Sequence, residues 1–510
     1  MKLSLQTKYF TEQLDRGLFD NALRLANDFS LKEPDSPEGY SMLGDALMHK
    51  GEHEKATNCY RLSLIKDPGQ PDIYTALGKA YLLIGEIGLA YENYYNAMCL
   101  APDDADVLQK TGNFLILVGR VNDATVVLEK AVSLGAKNAI KSLLNLKIHL
   151  GDKKELNSFM LDNKKLLLKD RLDLTVVRAQ YTLGEYTKVI EILSKVNTDK
   201  INYSAKSACF HLMAASYEQL GNFKTAFKYY NKQNNSKKII YAKDKIEKTI
   251  DSIISNSEKM DVSTVQYKSV TDQEFSPLFI IGLPRSGTSL LEQVLNTSDH
   301  VVAGGELLFV EAAYKKYFEN KQPLDQVSAW YREKIEFITK NQEIPKTAPR
   351  WLTDKLPANF VNIGFIKNMI PDAKFIYCKR NPMDNGLSIY KQDFLNVHSY
   401  ATKLEDIAHF VSLERKVMKY WSSRYSDDIH TVEYDNLVTD FDVETQQIFN
   451  HCDLSWNEDV KSFYTNKHYC HTASFDQVRQ PVHTNSVGFN KKYTAELDKL
   501  HLELIRYGVI

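Results

Sequence analysis

A period of 34 residues in the first half of the chain limits its fold more than any other feature. Small residues recur at this interval in three registers: Gly44, Gly78 and Gly112; Gly17, Gly51, Gly85 and Gly119; and Ala22, Ala56, Ala90 and Ala124. A fixed period of this length is typical of helical hairpins stacked into a solenoid, where small residues let paired helices approach closely. Looser units follow around Gly151, Gly184 and Gly221. The spacing predicts an all-α repeat domain over residues 1–235.

The repeat has the length and pattern of the tetratricopeptide repeat (TPR). Tyr40-x-x-Leu43-Gly44 recurs as Tyr74-x-x-Leu77-Gly78, and Pro68 and Pro102 fall where each second helix should end. A solenoid of this kind presents a concave face, and we expect it to bind a peptide or protein partner. A structural platform or a dimerisation surface is the alternative, and the sequence leaves both open.

Composition excludes several classes of protein. The 510 residues are 43% hydrophobic and 25% charged with a net charge of −1, so no global field attracts nucleic acid or an anionic membrane. No apolar run approaches the ~18 residues of a membrane-spanning helix, and we expect no membrane insertion. The six cysteines show no C-x-x-C spacing, which favours buried thiols in a reducing cytoplasm.

The pattern changes after the repeats. Residues 236–270 are polar with helical apolar spacing from Lys245 to Asn256, and they are predicted to form a helical linker. From residue 271 to residue 510 short apolar runs alternate with helical segments. This alternation predicts a P-loop-like α/β domain with a central parallel sheet.

A glycine-bounded loop follows the first of these apolar runs. Phe279-Ile280-Ile281 leads into Gly282-Leu283-Pro284-Arg285-Ser286-Gly287-Thr288-Ser289. The two glycines match the phosphate-loop frame G-x-x-x-x-G, but Thr288 replaces the lysine that reaches a triphosphate. A single phosphoryl-like group at a helix N-terminus, paired with Arg285, fits this loop better than ATP or GTP.

This loop resembles the P-R-S-G-T-[ST] motif of the sulfotransferases. From Pro277 onward the chain is similar to the bacterial TPR-containing sulfotransferases and to their relatives, the tyrosylprotein sulfotransferases. The resemblance implies that 3′-phosphoadenosine 5′-phosphosulfate (PAPS) is the sulfuryl donor. It also implies that the donor is bound by the loop residues Arg285, Ser286, Gly287, Thr288 and Ser289.

Glu306 is the first candidate for the chemistry. It follows the short apolar run Val301-Val302-Ala303 and two glycines, and a carboxylate beside an anion site can take a proton from an acceptor hydroxyl. A first-turn glutamate stabilised by a helix dipole is the alternative. The resemblance implies that Glu306 is the general base, because tyrosylprotein sulfotransferases carry theirs in a matching Gly-Glu.

Lys355 is the second candidate. It follows the segment Trp351-Leu352-Thr353-Asp354 and precedes a helix predicted to run through Phe365 to Met369. A lysine from outside the loop can neutralise the departing phosphate, although a surface lysine is commoner. The resemblance implies that Lys355 is the catalytic lysine.

Arg380 and Ser388 form the third candidate. The strand Ala373 to Lys379 delivers Arg380, and Ser388 lies eight residues further on a helix opened by Asn381-Pro382. An arginine and a hydroxyl in this arrangement can hold a second phosphate. The resemblance implies that both bind the 3′-phosphate of PAPS and that Ser388 also lines the path of the sulfuryl group.

Two later segments extend the resemblance. Tyr434, in Val432-Glu433-Tyr434-Asp435-Asn436-Leu437-Val438, matches a tyrosine that approaches the nucleotide, with a core tyrosine as the alternative. Ser474 begins the segment Ser474-Phe475-Asp476-Gln477-Val478, which resembles a loop that closes over the donor.

Two departures concern substrates. Tyrosylprotein sulfotransferases place arginines two and six residues after the catalytic glutamate, where this chain has Leu308 and Ala312, which disfavours an acidic peptide. The arginine expected four residues after Ser388 is Gln392.

Together these features predict a cytoplasmic sulfotransferase that moves the sulfuryl group of PAPS to an acceptor hydroxyl by in-line displacement. The acceptor can be a protein tyrosine or a small-molecule, lipid or glycan hydroxyl. We expect no metal, because no ligand cluster accompanies the loop. Two alternatives remain: a TPR scaffold that binds nucleotide without catalysis, and a kinase-like phosphoryl transferase, against which Thr288 argues.

Overall fold

The computed structural model describes residues 2–167, 173–260, 276–341, 350–394, 397–465 and 478–510. The chain divides into two compact units, Met1–Leu143 and Leu144–Ile510. Within the described ranges, no helix has both the length and the apolar character needed to cross a bilayer.

The first unit consists of helices joined by short turns. They are α1 (Lys2–Asp15), α2 (Phe19–Lys32), α3 (Pro37–Lys50), α4 (His53–Lys66), α5 (Pro71–Leu83), α6 (Ile87–Leu100), α7 (Ala105–Leu117) and α8 (Val121–Ser133). As the sequence predicts, α4 and α6 end just before Pro68 and Pro102.

Close helix packing explains the glycines at positions 44, 78 and 112, whereas those at 17, 51, 85 and 119 adopt positive φ. A Cβ on Gly44 would lie 2.4 Å from the ring of Tyr60, and one on Gly112 would lie 2.5 Å from Leu128. Each glycine is on the first helix of a hairpin and its neighbour is on the second, so only a residue without a side chain permits the observed approach. The TPR solenoid predicted from the period is confirmed.

More helices begin the second unit, and α9 crosses the boundary between the two. They are α9 (Lys137–Leu150), α10 (Lys153–Asp162), α11 (Lys164–Leu167), α12 (Leu174–Thr182), α13 (Tyr186–Ser194), α14 (Tyr203–Gln219), α15 (Phe223–Asn235) and α16 (Lys243–Glu258). The pair α14 and α15 shares a buried cluster with the rest of the unit, in which the rings of Phe227 and Tyr390 stack 5.5 Å apart. Helices α14 and α15 are therefore part of the same compact unit as the sheet.

The sheet has five parallel strands in the order β2-β3-β1-β4-β5. They are β1 (Ser276–Gly282), β2 (Val301–Ala303), β3 (Trp351–Asp354), β4 (Lys374–Lys379) and β5 (Ile429–Glu433). The central strands are buried on both faces, because Leu278 and Phe279 of β1 point to opposite faces and both are fully inaccessible. The predicted α/β domain with a parallel sheet is confirmed, and burial on both faces explains the continuous apolar runs.

Helices connect and cover the strands. They are α17 (Thr288–Leu295), α18 (Phe309–Tyr314), α19 (Leu324–Lys340), α20 (Ile363–Met369), α21 (Pro382–Lys391), α22 (Leu404–Arg424), α23 (Tyr434–Thr439), α24 (Phe441–His451) and α25 (Asp498–Arg506). A π-helical turn covers Lys315–Glu319, and 3₁₀ turns cover Pro357–Asn362, Ser399–Thr402, Glu458–Thr465 and Phe489–Glu496. β1 lies between β3 and β4, so the connection from β1 to β2 runs to one side of β1 and the connection from β3 to β4 runs to the other. Ligands bind at such a switch point, at the carboxyl ends of the strands.

Candidate functional site

Each strand of the sheet is followed at its carboxyl end by a residue or loop that the sequence singles out. These are the glycine loop after β1, Glu306 after β2, Lys355 after β3, Arg380 after β4 and Tyr434 after β5. Parallel strands end at one edge of a sheet, so five separate segments of the chain contribute to one region.

The loop after β1 has the backbone of an anion site. Gly287 precedes the first residue of α17 with φ of 108°, and a Cβ there would lie 2.5 Å from the ring of Tyr434. A Cβ on Gly282 would lie 2.4 Å from the carbonyl oxygen of Cys378. Arg285 has φ of 66°, which is uncommon for a residue with a side chain. The N-terminus of α17 therefore lies beside the Tyr434 ring, and the dipole of a helix favours an anion at this end.

Two arginines are fixed side by side at this loop. Arg285 donates from Nε to Ser388 Oγ at 3.2 Å, and Arg380 donates from Nη1 to the carbonyl oxygen of Arg285 at 2.9 Å. The guanidinium of Arg380 also stacks 4.6 Å from the centre of the Tyr434 ring. The sequence-predicted Arg285, Ser388, Arg380 and Tyr434 therefore form one connected group.

Buried polar atoms at the loop fit a bound anion. Ser286 Oγ and Arg380 Nε are inaccessible to solvent, and neither has a hydrogen-bond partner among the described residues. Thr288 and Ser289 are also buried at the start of α17. Buried donors without partners are costly, and an anion such as phosphate or phosphosulfate would satisfy both atoms.

Glu306 and Lys355 form an ion pair at the adjoining strand ends. Lys355 Nζ lies 2.8 Å from Glu306 Oε1; the lysine side chain is 0% exposed and the glutamate side chain 45% exposed. Lys355 is thus not a surface lysine. Glu306 precedes α18 by three residues, so it is not a first-turn glutamate. The buried Lys355 fixes the position of the Glu306 carboxylate, and the exposed part of that carboxylate can take a proton from an incoming acceptor.

Two glycines and a buried acid place Glu306. A Cβ on Gly304 would lie 2.3 Å from the carbonyl oxygen of Thr353, and Gly305 has φ of 70°. Glu292 Oε1 accepts from the N–H of Gly305 at 2.9 Å and from Thr353 Oγ1 at 2.7 Å. Burial raises the pKa of Glu292, whereas the charge of Lys355 lowers it. The sequence analysis missed Glu292, although a glutamate inside the apolar run of α17 was a visible signal.

His398 is a second residue missed from the sequence. Burial lowers the pKa of its imidazole, and the negative charge of Glu306 opposes this shift. Its ring packs edge-on against Phe394 with centroids 4.6 Å apart. His398 is therefore close enough to the candidate base Glu306 to feel its charge, and Phe394 packs against the imidazole.

The C-terminal segment covers the arginines. Asp384 accepts hydrogen bonds from the N–H groups of Gly488 and Asn490, both at 2.7 Å, and Arg380 Nη2 donates to the carbonyl oxygen of Ser486 at 2.9 Å. The stretch Val478 to His483 lines one pocket together with the two arginines and the apolar side chains of Val438 and Phe463. Ser474, predicted to contact the donor, lies outside the described residues.

No group of three or more His, Cys, Asp or Glu side chains in the described part of the chain is arranged to hold a metal ion.

Comparison with known proteins identifies the region that carries this site. Residues 277–458 match the model of the sulfotransferase family. This segment carries the similarity to sulfotransferases. Residues 37–64 match a tetratricopeptide repeat model. The resemblance to TPR-containing sulfotransferases is thereby confirmed.

Curated proteins similar to this chain are distant relatives. An uncharacterized protein of Aquifex aeolicus (strain VF5) is 30% identical over 252 residues, which cover 46% of this chain and 32% of the relative. A putative protein-tyrosine sulfotransferase of Caenorhabditis briggsae is 26% identical over 197 residues, covering 36% of this chain and 67% of the relative. The chain thus spans about a third of the length of the Aquifex protein.

Among solved structures, the sulfotransferase domain of the Synechococcus PCC 7002 olefin synthase superposes with a TM-score of 0.34. It is 16% identical in sequence, and the match covers 48% of this chain and 97% of that domain.

Proposed function

We propose that the chain transfers the sulfuryl group of PAPS to an acceptor hydroxyl by in-line displacement. The observation that carries the proposal is the pair of adjoining groups at one edge of the sheet. One is the loop with Arg285, Arg380 and Ser388, and the other is the buried Lys355 bonded to the half-exposed Glu306 at 2.8 Å. An anion site next to a carboxylate and a buried cation supplies what sulfuryl transfer to a hydroxyl requires.

The donor would occupy the loop and the two arginines. Its 5′-phosphosulfate would meet the first N–H groups of α17 and the hydroxyls of Ser286, Thr288 and Ser289. Its 3′-phosphate would meet Arg380 and Ser388. The proposal is supported by the unpartnered Ser286 Oγ and Arg380 Nε, because each would then donate to one of the two anionic groups of PAPS. The apolar pocket wall offers a surface for adenine.

The chemistry would use the ion pair as follows. Glu306 accepts the proton of the acceptor hydroxyl while the acceptor oxygen bonds to sulfur and the bond from sulfur to the phosphate oxygen breaks. As Glu306 loses its negative charge, Lys355 is released to neutralise the charge that develops on the departing phosphate oxygen. Arg285 and Ser388 keep the sulfuryl group in line. No metal takes part in this scheme.

The acceptor would approach the exposed side of Glu306. Leu308, two residues after Glu306, is a 58% exposed side chain. A leucine there gives no charge to an acidic peptide, which favours a hydroxyl in a neutral setting. The TPR solenoid would bind a peptide or protein partner. Cytoplasmic location is supported by buried thiols at Cys209, Cys378 and Cys452.

Calorimetric titration with 3′,5′-adenosine bisphosphate, the desulfated product, tests the donor. We expect the bisphosphate to bind without Mg²⁺, and we expect Arg380→Ala to weaken binding about 10- to 100-fold through loss of charge-assisted hydrogen bonds. Arg424→Ala is the matched control, because Arg424 is a half-exposed arginine paired with Glu258. Binding of Mg-ATP in place of the bisphosphate would turn the assignment toward a phosphoryl transferase.

Single-turnover assays with radiolabelled PAPS test the base. Glu306→Gln keeps the size of the side chain but cannot accept the proton, so turnover should fall by about 100-fold or more while the bisphosphate still binds. Glu311→Gln, an exposed glutamate of α18 paired with Lys315, is the control and should be fully active. Unchanged turnover in Glu306→Gln would remove Glu306 from the mechanism, and bisphosphate binding without any turnover would indicate a nucleotide-binding scaffold.

A further inference from the structure

Side chains of the last helical hairpin, α14 and α15, bind the carboxyl end of α21. Asn234 Nδ2 donates to the carbonyl oxygen of Tyr390 at 2.8 Å, and Gln233 Nε2 donates to that of Gln392 at 3.2 Å. His211 Nδ1 lies 3.2 Å from the carbonyl oxygen of Lys391. The last carbonyl groups of a helix have no partner within it, so three side chains of the hairpin supply what a helix cap supplies elsewhere.

The geometry of these bonds fixes the imidazole. Gln233 donates from its nitrogen to α21, so its Oε1 atom faces His211 Nδ1 at 3.2 Å. Both neighbours of Nδ1 are oxygen acceptors, which requires the proton on Nδ1. Burial lowers the pKa of His211, so the ring is a neutral donor. The contact is therefore a specific hydrogen-bonded network between the hairpin and α21.

Charges reinforce the same contact. Lys391 Nζ, at the end of α21, lies 2.7 Å from a carboxylate oxygen of Glu218 in α14, and Asp393 lies 2.8 Å from Lys237 Nζ just after α15. Burial lowers the pKa of Lys391, Glu218 opposes this, and the positive charges of Arg285 and Arg380 lower it further. The ammonium group of Lys391 thus stands in the field of both donor-site arginines, with Glu218 as its counter-ion.

Other residues of α21 contact the anion site. Ser388 accepts from Arg285, and Asp384 binds the backbone of the C-terminal segment whose Ser486 accepts from Arg380. Helix α21 therefore contacts the hairpin at its own carboxyl end. Through Ser388 and Asp384 it also connects to both arginines. A displacement of the helix end would be passed to Ser388, which is one turn away.

We propose that the hairpin α14–α15 is an integral part of the donor site, in which Asn234, Gln233, His211 and Glu218 are positioning residues that act through α21 on Ser388 and the arginines. The inference rests on the proposed function only for the identity of the ligand. The last hairpin could then not be deleted without damage to the donor site. Its hydrogen bonds to α21 set the affinity of the site for the donor.

Hydrogen exchange by mass spectrometry on the full-length protein tests the positioning without any ligand. His211→Leu removes the donor to Lys391, and we expect faster exchange in α21 and in the loop of residues 283–289. His211→Asn keeps an N–H donor at the corresponding position and should restore parental exchange. Asn222→Ala removes the N-cap of α15, whose side chain accepts from Thr225, and should speed exchange in α15 alone.

Bisphosphate affinity gives the second readout. His211→Leu should bind 3′,5′-adenosine bisphosphate about tenfold more weakly, while His211→Asn and Asn222→Ala match the parent. In a Ser388→Ala background the effect of His211→Leu should shrink below about twofold, because the two residues act along one path. Asn234→Leu, which keeps the branched shape of the side chain and removes its donor to Tyr390, repeats the test if His211→Leu does not fold.

The outcomes separate the two ideas. Failure of the parent protein to bind the bisphosphate overturns the proposed donor, and the exchange data still decide the positioning role. Parental exchange in residues 283–289 of His211→Leu, or an equal loss of affinity with and without Ser388, overturns the positioning role. Loss of affinity in Asn222→Ala as large as in His211→Leu would also overturn it, since any loosening of the hairpin would then suffice.

Discussion

The ion pair of Lys355 and Glu306 should respond very differently to loss of one partner or the other. Lys355 is 0% exposed, whereas Glu306 is 45% exposed, although the pair is joined by a single 2.8 Å contact. Glu306→Ala takes a carboxylate away from a fully buried ammonium group. Lys355→Met leaves a carboxylate that water can reach. The free energy of unfolding should therefore fall much more in the first variant than in the second.

The expected magnitudes follow from burial. Removing one partner of a buried pair costs about 3–5 kcal/mol because a charge is left uncompensated. Glu292 is buried near Lys355 and supplies part of the missing charge, so we expect about 3 kcal/mol for Glu306→Ala. In Lys355→Met, Glu306 is hydrated and Glu292, whose pKa burial already raises, takes up a proton. We expect about 1 kcal/mol for that variant.

Urea unfolding followed by tryptophan fluorescence measures both values. The chain has four tryptophans, and all of them lie in the unit Leu144–Ile510, so the signal reports this unit alone. The midpoint shift at constant slope gives the free-energy change. Lys340→Met, an exposed lysine paired with Glu336 on α19, is the control and should stay within about 0.5 kcal/mol of the parent. Equal costs for the two variants, or a larger cost for Lys355→Met, would refute the reasoning.

Three further predictions concern other parts of the molecule. Burial raises the pKa of the Glu414 carboxyl from its ordinary value of 4.5 to about 7. The folded state therefore favours the protonated form, and stability is lost as pH rises between these two values. Relative to the parent, Glu414→Gln should gain up to about 3 kcal/mol across that window in urea titrations at successive pH values. Gly78→Ala should destabilise the first unit by about 1–3 kcal/mol in thermal unfolding followed by circular dichroism, because the new Cβ would lie 2.8 Å from Tyr94. Gly287→Ala should weaken bisphosphate binding at least about tenfold in calorimetry, because φ of 108° strains a residue with a side chain and the new Cβ would lie 2.5 Å from the ring of Tyr434.

The strand-end residues were predictable because their signals are local. Glu306, Lys355 and Arg380 each follow a short apolar run, and parallel strands bring such positions to one edge. The phosphate loop was predictable from the spacing of Gly282 and Gly287, which is typical of a backbone that binds an anion. Sequence periodicity likewise predicted the TPR solenoid, since Gly44, Gly78 and Gly112 each meet a side chain of their own hairpin.

Residues that depend on distant contacts were not predictable in the same way. Asp384 and His398 have no local pattern that marks them, because their partners are on segments far along the chain. The contact of His211 with Lys391 joins positions that are 180 residues apart. Such pairs are visible only in the folded structure, because no local sequence pattern marks the two residues as partners.

The position of β1 in the sheet has a consequence for synthesis of the chain. Phe279 of β1 pairs with Asp354 of β3 and with Phe375 of β4, so both neighbours of the strand emerge from the ribosome long after it. The TPR hairpins need only neighbouring residues and can fold as they are made, whereas an apolar strand waits without partners. Translation pauses before residue 374 should therefore expose an aggregation-prone segment, and nascent chains stalled there should be the ones most often captured by a chaperone.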